Sequence, residues 1–565
     1  MRRRLNRLES CLIAARAARR EGLGAALARF RRDESGSLLI FGLFCFVIML
    51  LVAGMALDLM RFEERRTLLQ NTVDRASLAA ADLNQTLEPY DVVVDYFVKA
   101  GLPAPAPSDV TIEAGQYNEY RTVDVRTSEM MDTWFMSMVG IDQLNTPAKS
   151  VAEERIGQVE ISLVLDVSGS MNSNNRLINL KPAAKAFVDQ MFDQVEPGKL
   201  SMSIVTYSTQ VSMGENLARF VNLTDEHTLS TCIEFEAGDF ANHVDSLKLK
   251  LASTGHVYKR NGNFDPFNTS APTLLNCPTE DNRDIIAFSG DRDALKAHID
   301  SLTAGGNTSI DIGMKWGAML LDPSMQPVVD TLVSEGQLPS EFSDRPYAYK
   351  TSGMTNANDQ SMKVIVVMTD GENTTEYAIK SPYRSGVSPI IRGNNSTSYT
   401  PTNRDQYSVY DSTRPANADW YSVKTGTWRA EPWGDMAGDT GDSVPLTWQE
   451  IYNRGSINWV ADNIIGRAWG TTVRNQWRSS GNTVVSRVSP SSGTPDKNVR
   501  TTNICSAAKS KGVIIYAIGF EAPANGQNLL NSCASTGNSM SASGTGISTA
   551  FAAIASSINK LRLTQ

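Results

Sequence analysis

In "EISLVLDVSGSM" an apolar run stops at Asp166, and Ser168 and Ser170 follow at every second position. Three small oxygen-bearing side chains this close together either cap a helix, accepting hydrogen bonds from its free first amides, or turn as a group toward a hard cation. Two further stretches favour the cation. In "GGNTSIDIG" the pair Gly305 and Gly306 frees the backbone to turn and Thr308 adds a hydroxyl, and in "VVMTDGENT" Asp370 ends a second apolar run just before Gly371. Asp166, Ser168, Ser170, Thr308 and Asp370 offer carboxylates and hydroxyls with neither sulfur nor imidazole. Such a set suits Mg²⁺, with Mn²⁺ or Ca²⁺ also admissible, rather than zinc. With only two negative charges the ion keeps water, and a position stays open for a carboxylate from outside.

A hydrolase built on such an ion needs a base or nucleophile beside it. His227, His243, His256 and His298 all lie away from the three stretches, and "DVSGSMNSNN" lacks the lysine of a phosphate-binding loop. The expectation is a binding protein, not an enzyme. The net charge of -8 also argues against a nucleic-acid ligand, because phosphate contact needs a basic surface.

For these residues to meet, the runs before them must be strands ending at one edge of a sheet. Four runs rich in Val and Ile, "VEISLVL" from 159, "LSMSIVT" from 200, "KVIVVMT" from 363 and "GVIIYAIG" from 512, lack the polar alternation of a half-exposed strand. They fit a parallel sheet covered on both faces. Helical spacing marks "RLINLKPAAKAFVDQMF", "RDALKAHIDSL", "TSIDIGMKWGAMLL", "NICSAAKSKG" and "ISTAFAAIASSINKLRL". The predicted fold is therefore a doubly wound α/β domain over 156–565, and ligands of such sheets sit beyond the carboxyl ends of the strands, where Asp166 and Asp370 fall. Two insertions interrupt it, at about 222–285 and 376–500. The second holds seven of the nine tryptophans, enough aromatic surface to demand packing, either as a cap over the site or as a lobe of its own.

Ahead of this domain, residues 37–57, "SLLIFGLFCFVIMLLVAGMAL", run for 21 positions without a charge. As a helix they reach about 31 Å, the depth of a bilayer core. The basic segment 1–36 carries ten arginines against four acids, whereas Asp58, Glu63, Glu64, Asp74 and Asp82 follow the span, so the amino terminus is expected in the cytoplasm and the rest exported. A cleaved signal peptide competes with this reading, but the basic lead and the apolar run are both long for one, and no A-x-A-like site follows. An organelle transit peptide fits less well, given Glu9, Glu21 and the span. Residues 58–155 are expected to hold an amphipathic helix continuing out of the membrane, then a small α+β unit with β-like "VTIEA" and "RTVDVRT" and a helix-like "MMDTWFMSMVG". Cys11 and Cys45 precede or lie in the span. Cys232, Cys277, Cys505 and Cys533 are exported and permit two disulfides in any of three pairings, of which the local ones, Cys232 with Cys277 and Cys505 with Cys533, are favoured.

The five oxygen-bearing residues resemble the metal-ion-dependent adhesion site of von Willebrand factor A domains, whose pattern is D-x-S-x-S followed by a separate Thr and a separate Asp. The resemblance covers about 156–222, 286–375 and 500–563. It implies that Ser168, Ser170 and Thr308 contact the ion, that Asp166 and Asp370 act directly or through water, and that a partner's acidic residue completes the octahedron. A second resemblance lies in "RRDESGSLLIFGLF" and "AGMALDLMRFEERRTLLQNTVDRASLAAA", which are similar to the start of TadE/TadG-like proteins of tight-adherence (Flp) pilus assembly. Phe41 stands where prepilin-type members carry Glu, five residues after Gly36, so cleavage there is not expected. Together the resemblances imply a single-pass protein of a bacterial inner membrane with a periplasmic domain, serving pilus assembly or surface attachment through a pilus or surface component. The alternative is a structural or chaperone-like protein of another exported complex, in which the metal only stabilises the fold.

Overall fold

The computed structural model describes residues 28, 29, 31, 35–83, 85–114, 120–155, 157–349, 361–393, 403–439, 442–490 and 496–562. The basic segment up to residue 27, with Cys11, lies outside the described residues. The chain divides into two compact units, Met1–Glu113 with Thr122–Glu153 and Ala114–Arg121 with Glu154–Gln565.

In the first unit the apolar span and the amphipathic stretch after it form one helix, α1 (Ser35–Ala81). The large apolar side chains of its first half, from Leu38 to Val52, are mostly exposed, and among the described residues this is the one helix long and apolar enough to cross a membrane. In its second half, Leu69, Val73, Ala76 and Ala80 recur at helical spacing and are buried. They pack on Val92, Val93 and Phe97 of α2 (Pro89–Lys99) and on Val123, Val125, Ala148 and Ala152 of a small sheet. Its strands, β1 (Val110–Ala114), β2 (Tyr120–Asp132) and β3 (Gln143–Arg155), lie in that order. The helix expected in "MMDTWFMSMVG" is not there. Met130 to Asp132 finish β2, and only Met136–Val139 coils, as a single 3₁₀ turn stopped by Gly140 at φ 88°.

The second unit is the doubly wound domain. All four Val- and Ile-rich runs are strands: β4 (Gln158–Asp166), β5 (Leu200–Tyr207), β7 (Ser361–Thr369) and β8 (Ile514–Phe520). Two short strands, β6 (Ile286–Ser289) and β9 (Ser539–Ala542), close the edges, giving the order β9-β8-β7-β4-β5-β6. On one face Ile161, Leu163 and Leu165 meet α3 (Arg176–Gln194), α4 (Arg292–Ser301) and α9 (Ile547–Arg562). On the other, Val164, Val205, Ile365 and Ile515 meet α5 (Ile310–Met319), α6 (Gln326–Ser334), α7 (Lys497–Ser510) and α8 (Ala524–Cys533). Burial of both faces explains the missing polar alternation.

The sheet departs from a purely parallel one at β6, which runs antiparallel to β5. The chain leaves the carboxyl end of β5, makes the first insertion and returns to the same end, with Ile286 opposite Ile204; lacking a crossover helix, it can only run back. That insertion carries strands Asn222–Leu223, Ile233–Glu234 and Val257–Arg260 and the disulfide Cys232–Cys277, with Cα atoms 5.9 Å apart. The second disulfide, Cys505–Cys533 at 5.1 Å, ties α7 to α8, so both local pairings are present. The second insertion has a core of its own, in which Trp448, Trp459 and Trp477 pack with Ile390, Tyr407, Leu446 and Ile464. Phe264 of the first insertion joins that core, so the two insertions pack together there.

Candidate metal centre

In chain order the six strands of the large sheet number 3-2-1-4-5-6 across it, and the order reverses between β4 and β7. At such a switch point the two flanking connections part to opposite faces and leave a crevice at the carboxyl edge. Asp166 ends β4, and Asp370 follows Thr369 at the end of the neighbouring β7, whose register pairs Leu165 with Met368. Topology thus brings together two carboxylates that lie 204 positions apart in the chain.

Backbone bonds then lace three loops together. Gly169 donates to the Gly306 carbonyl at 2.9 Å, and Gly305 donates to Val167 at 2.8 Å. Gly306 has φ 87°, and a Cβ there would stand 2.8 Å from Thr209 Oγ1, so the loop needs glycine on both counts. The Thr308 amide donates to Thr374 Oγ1 at 2.7 Å, and the Thr374 amide donates back to the Thr308 carbonyl at 2.9 Å. Asn373 accepts from the Ile310 amide at 2.8 Å and so caps the start of α5 from the Asp370 loop.

The side chains follow suit. Ser168 Oγ lies 3.1 Å from Ser170 Oγ, and Ser170 donates to Asp370 Oδ1 at 2.7 Å. Asp166 accepts from the Ser168 amide at 2.8 Å and from Thr369 Oγ1 at 2.6 Å. Thr308 Oγ1 faces Gly371, 3.8 Å from where a Cβ would sit. Asp166, Ser168, Thr308 and Asp370 are buried, while Ser170 is exposed at the rim. Burial, and then the charge of Asp370, push the Asp166 carboxyl up to about 7. Among the described residues no three His, Cys, Asp or Glu side chains form a metal-binding group, so a cation here depends on the hydroxyls.

Residues 36–83 match the Tad family model, described as "Putative Flp pilus-assembly TadE/G-like". No curated protein matches the chain. Among solved structures, the vWF domain of the type V pili tip protein Mfa5 from Porphyromonas gingivalis is 12% identical, with a TM-score of 0.30, covering 73% of this chain and 98% of that one. The pilus adhesin SpaC from Lactobacillus rhamnosus GG is 11% identical, with a TM-score of 0.27, covering 82% of this chain and 35% of that one. Proximal thread matrix protein 1 from the mussel byssus, with a zinc-occupied MIDAS motif, is 12% identical at a TM-score of 0.24, covering 72% of this chain and 46% of that one. These values are too low for the solved structures to bear on function.

Several side chains that hold the site escaped sequence reasoning. Arg176, the first residue of α3, donates to Asp370 Oδ2 at 2.8 Å and to Glu521 Oε2 at 2.9 Å. Asn174 and Asn175 before it adopt φ 53° and 57°, a left-handed turn that asparagine tolerates and that aims Arg176 back at the site. Behind Thr308, Lys497 is fully buried, donates to Ser309 Oγ at 2.5 Å and lies 3.1 Å from Asp311. Arg500 pairs with Glu376 at 3.0 Å in the same cluster. Beside Gly371 opens a cleft of about 470 Å³ lined by Glu372, Pro490, Asn498, Asn525, Asn528 and Leu529.

Proposed function

We propose that the chain is a membrane-anchored protein of pilus assembly or surface attachment, not an enzyme, that grips a protein partner through a divalent cation. Asp166, Ser168, Ser170, Thr308 and Asp370 would hold the ion, Mg²⁺ by their chemistry, and the partner would contribute an acidic side chain. The observation that carries the reading is the convergence of Ser168, Ser170 and Asp370 within hydrogen-bond distance at the sheet's switch point, with Thr308 in the adjoining loop. The donor set is all oxygen and carries only two charges, which matches a hydrated hard cation with a free coordination position. Exposure of Ser170 among buried companions gives that position an outlet. The TadE/G-like match at 36–83 supports the pilus setting, and the apolar half of α1 supports a single-pass anchor whose amino terminus is cytoplasmic and whose domain is periplasmic.

A second reading, in which the ion only stabilises the loops, draws support from the burial of four of the five residues. Asp166→Ala at unchanged expression separates the two. The adhesion reading expects surface fibres or adherence to be lost while the purified full chain still unfolds cooperatively; a wild-type phenotype would sink it. In detergent-solubilised full-length protein, Mg²⁺ at 100 times its Kd should stabilise the wild type by about 2.7 kcal/mol over EDTA, and the variant not at all.

A further inference from the structure

The turn joining β2 to β3 is fastened to α1 at the height where the apolar stretch ends. Asp58 is fully buried, and its carboxylate accepts three backbone amides, from Trp134 at 3.0 Å, Phe135 at 2.7 Å and Met136 at 2.8 Å. Arg61 pairs with Asp58 at 3.5 Å and lays its guanidinium 3.7 Å from the centre of the Trp134 ring. Farther along α1, Arg65 makes a two-point ion pair with Glu129 of β2 at 2.8 and 2.7 Å. On the side toward the apolar stretch, the Phe135 ring rests against Gly54, where any Cβ would overlap it. Gly54 precedes Asp58 by four residues, so the turn reaches back about 6 Å along the stretch read as membrane-spanning.

We infer that residues 133–142 form an interfacial membrane anchor, with Trp134, Met138, Val139 and Ile141 entering the headgroup and upper acyl layer of the bilayer that α1 crosses. These four side chains are 60%, 73%, 52% and 40% exposed, and on α1 the exposed Leu57, Leu59 and Met60 stand at the same level. Ten residues presenting four large apolar side chains to water are hard to account for in a solvated loop, whereas a tryptophan beside aliphatic residues is the usual composition of a membrane interface. The backbone is prepared for a place with little water, where each free amide is costly. Asp58 takes three amides, and the turn closes others itself, Thr133 to Asp142 at 3.0 Å, Gly140 to Ser137 at 3.1 Å and Ile141 to Met136 at 3.0 Å. Lipid is the fitting occupant because the turn is pinned to the helix at the exit of its apolar stretch, not at an arbitrary point on the surface.

The inference rests on residues 37–57 crossing a membrane, and one experiment tests both separately. Full-length protein carrying Cys11→Ser and Cys45→Ser receives a fluorophore at Met138→Cys or, independently, Val139→Cys, and is reconstituted into phosphatidylcholine vesicles. The control is Cys11→Ser labelled at the native Cys45, within the span. Lipids with a nitroxide near the headgroup should quench the labels at 138 and 139, and lipids with a deep nitroxide should quench the label at 45. Quenching at 45 without quenching at 138 and 139 overturns the interfacial anchor alone. No quenching at 45 overturns the span and with it this inference. Emission from 138 and 139 that follows protein density instead of nitroxide lipid assigns the turn to a second copy of the chain and also overturns it.

Discussion

Arg176 and Asp370 form an ion pair, Nη1 to Oδ2 at 2.8 Å, inside the set of residues offered to a divalent cation. The guanidinium is tethered from its other side by Glu521, whose carboxyl it holds below the usual range. A resident positive charge at Asp370 offsets the mutual repulsion of Asp370 and Asp166, and it competes with any ion for the same carboxylate.

Arg176→Ala should therefore tighten Mg²⁺ binding by about tenfold, or about 1.4 kcal/mol, the size of one partly screened pair. The check is a Mg²⁺ titration of the thermal midpoint in wild type and variant. The EDTA-treated variant should melt lower than the EDTA-treated wild type, because two carboxylates then face each other without compensation. Equal or weaker Mg²⁺ binding by the variant would mean that Arg176 does not share Asp370 with the ion.

Lys497 is the hub of the buried charges behind Thr308, meeting Asp311 at 3.1 Å and Glu376 at 3.9 Å with no exposed surface. Removing one member of such a cluster strands the others in a poorly polarisable interior. Lys497→Met is expected to cost about 3–5 kcal/mol in chemical denaturation. Changing Lys497 and Asp311 together, to Met and Leu, should recover part of that loss. A cost below 1 kcal/mol for the single change would show that Arg500 alone compensates Asp311 and Glu376.

What sequence could and could not reveal divides along physical lines. The four central strands were legible because a strand buried on both faces must be apolar throughout, and Asp166 and Asp370 stood out as the charges that end such runs. The edge strands β6 and β9 have four residues each, too few to rise above loop composition. The antiparallel course of β6 follows from the route of the first insertion, which no local pattern records. Arg176 was hidden because its partners lie 194 and 345 positions away, and Lys497 because a buried lysine reads in sequence as a surface one. Asn373 and Thr374 were within sight in "TDGENT", but only the structure joins them to the Thr308 loop.

The two disulfides close separate loops of 45 and 28 residues. In the chain-entropy view each restricts the unfolded chain by about 4 kcal/mol at 25 °C. Replacing Cys505 and Cys533 by serine should lower denaturant stability by that order and weaken the Mg²⁺ response as well, since α7 carries Lys497 and Asn498 behind the site. Replacing Cys232 and Cys277 should cost a similar amount of stability with the Mg²⁺ response kept. Equal effects of the two pairs on Mg²⁺ would contradict this assignment.

His298, in the last turn of α4, has its Nε2 buried without a hydrogen-bond partner, and burial depresses its pKa to about 4. The unfolded chain binds a proton there below about pH 6.5 that the folded chain refuses until about pH 4. Stability from this group is therefore complete above pH 6.5 and is lost as pH falls toward 4, about 2 kcal/mol of it by pH 5. His227, also depressed to about 4, acts in the same direction. Asp166 and Glu234, both raised to about 7, act in the opposite one, because ionising them weakens the fold as pH rises. The slope of the wild type alone is thus a sum of opposing parts, and the informative quantity is a difference. His298→Leu should gain about 2 kcal/mol relative to wild type on going from pH 7.5 to pH 5 in urea unfolding. A difference that does not change with pH would show that the folded protein admits the proton at His298 after all.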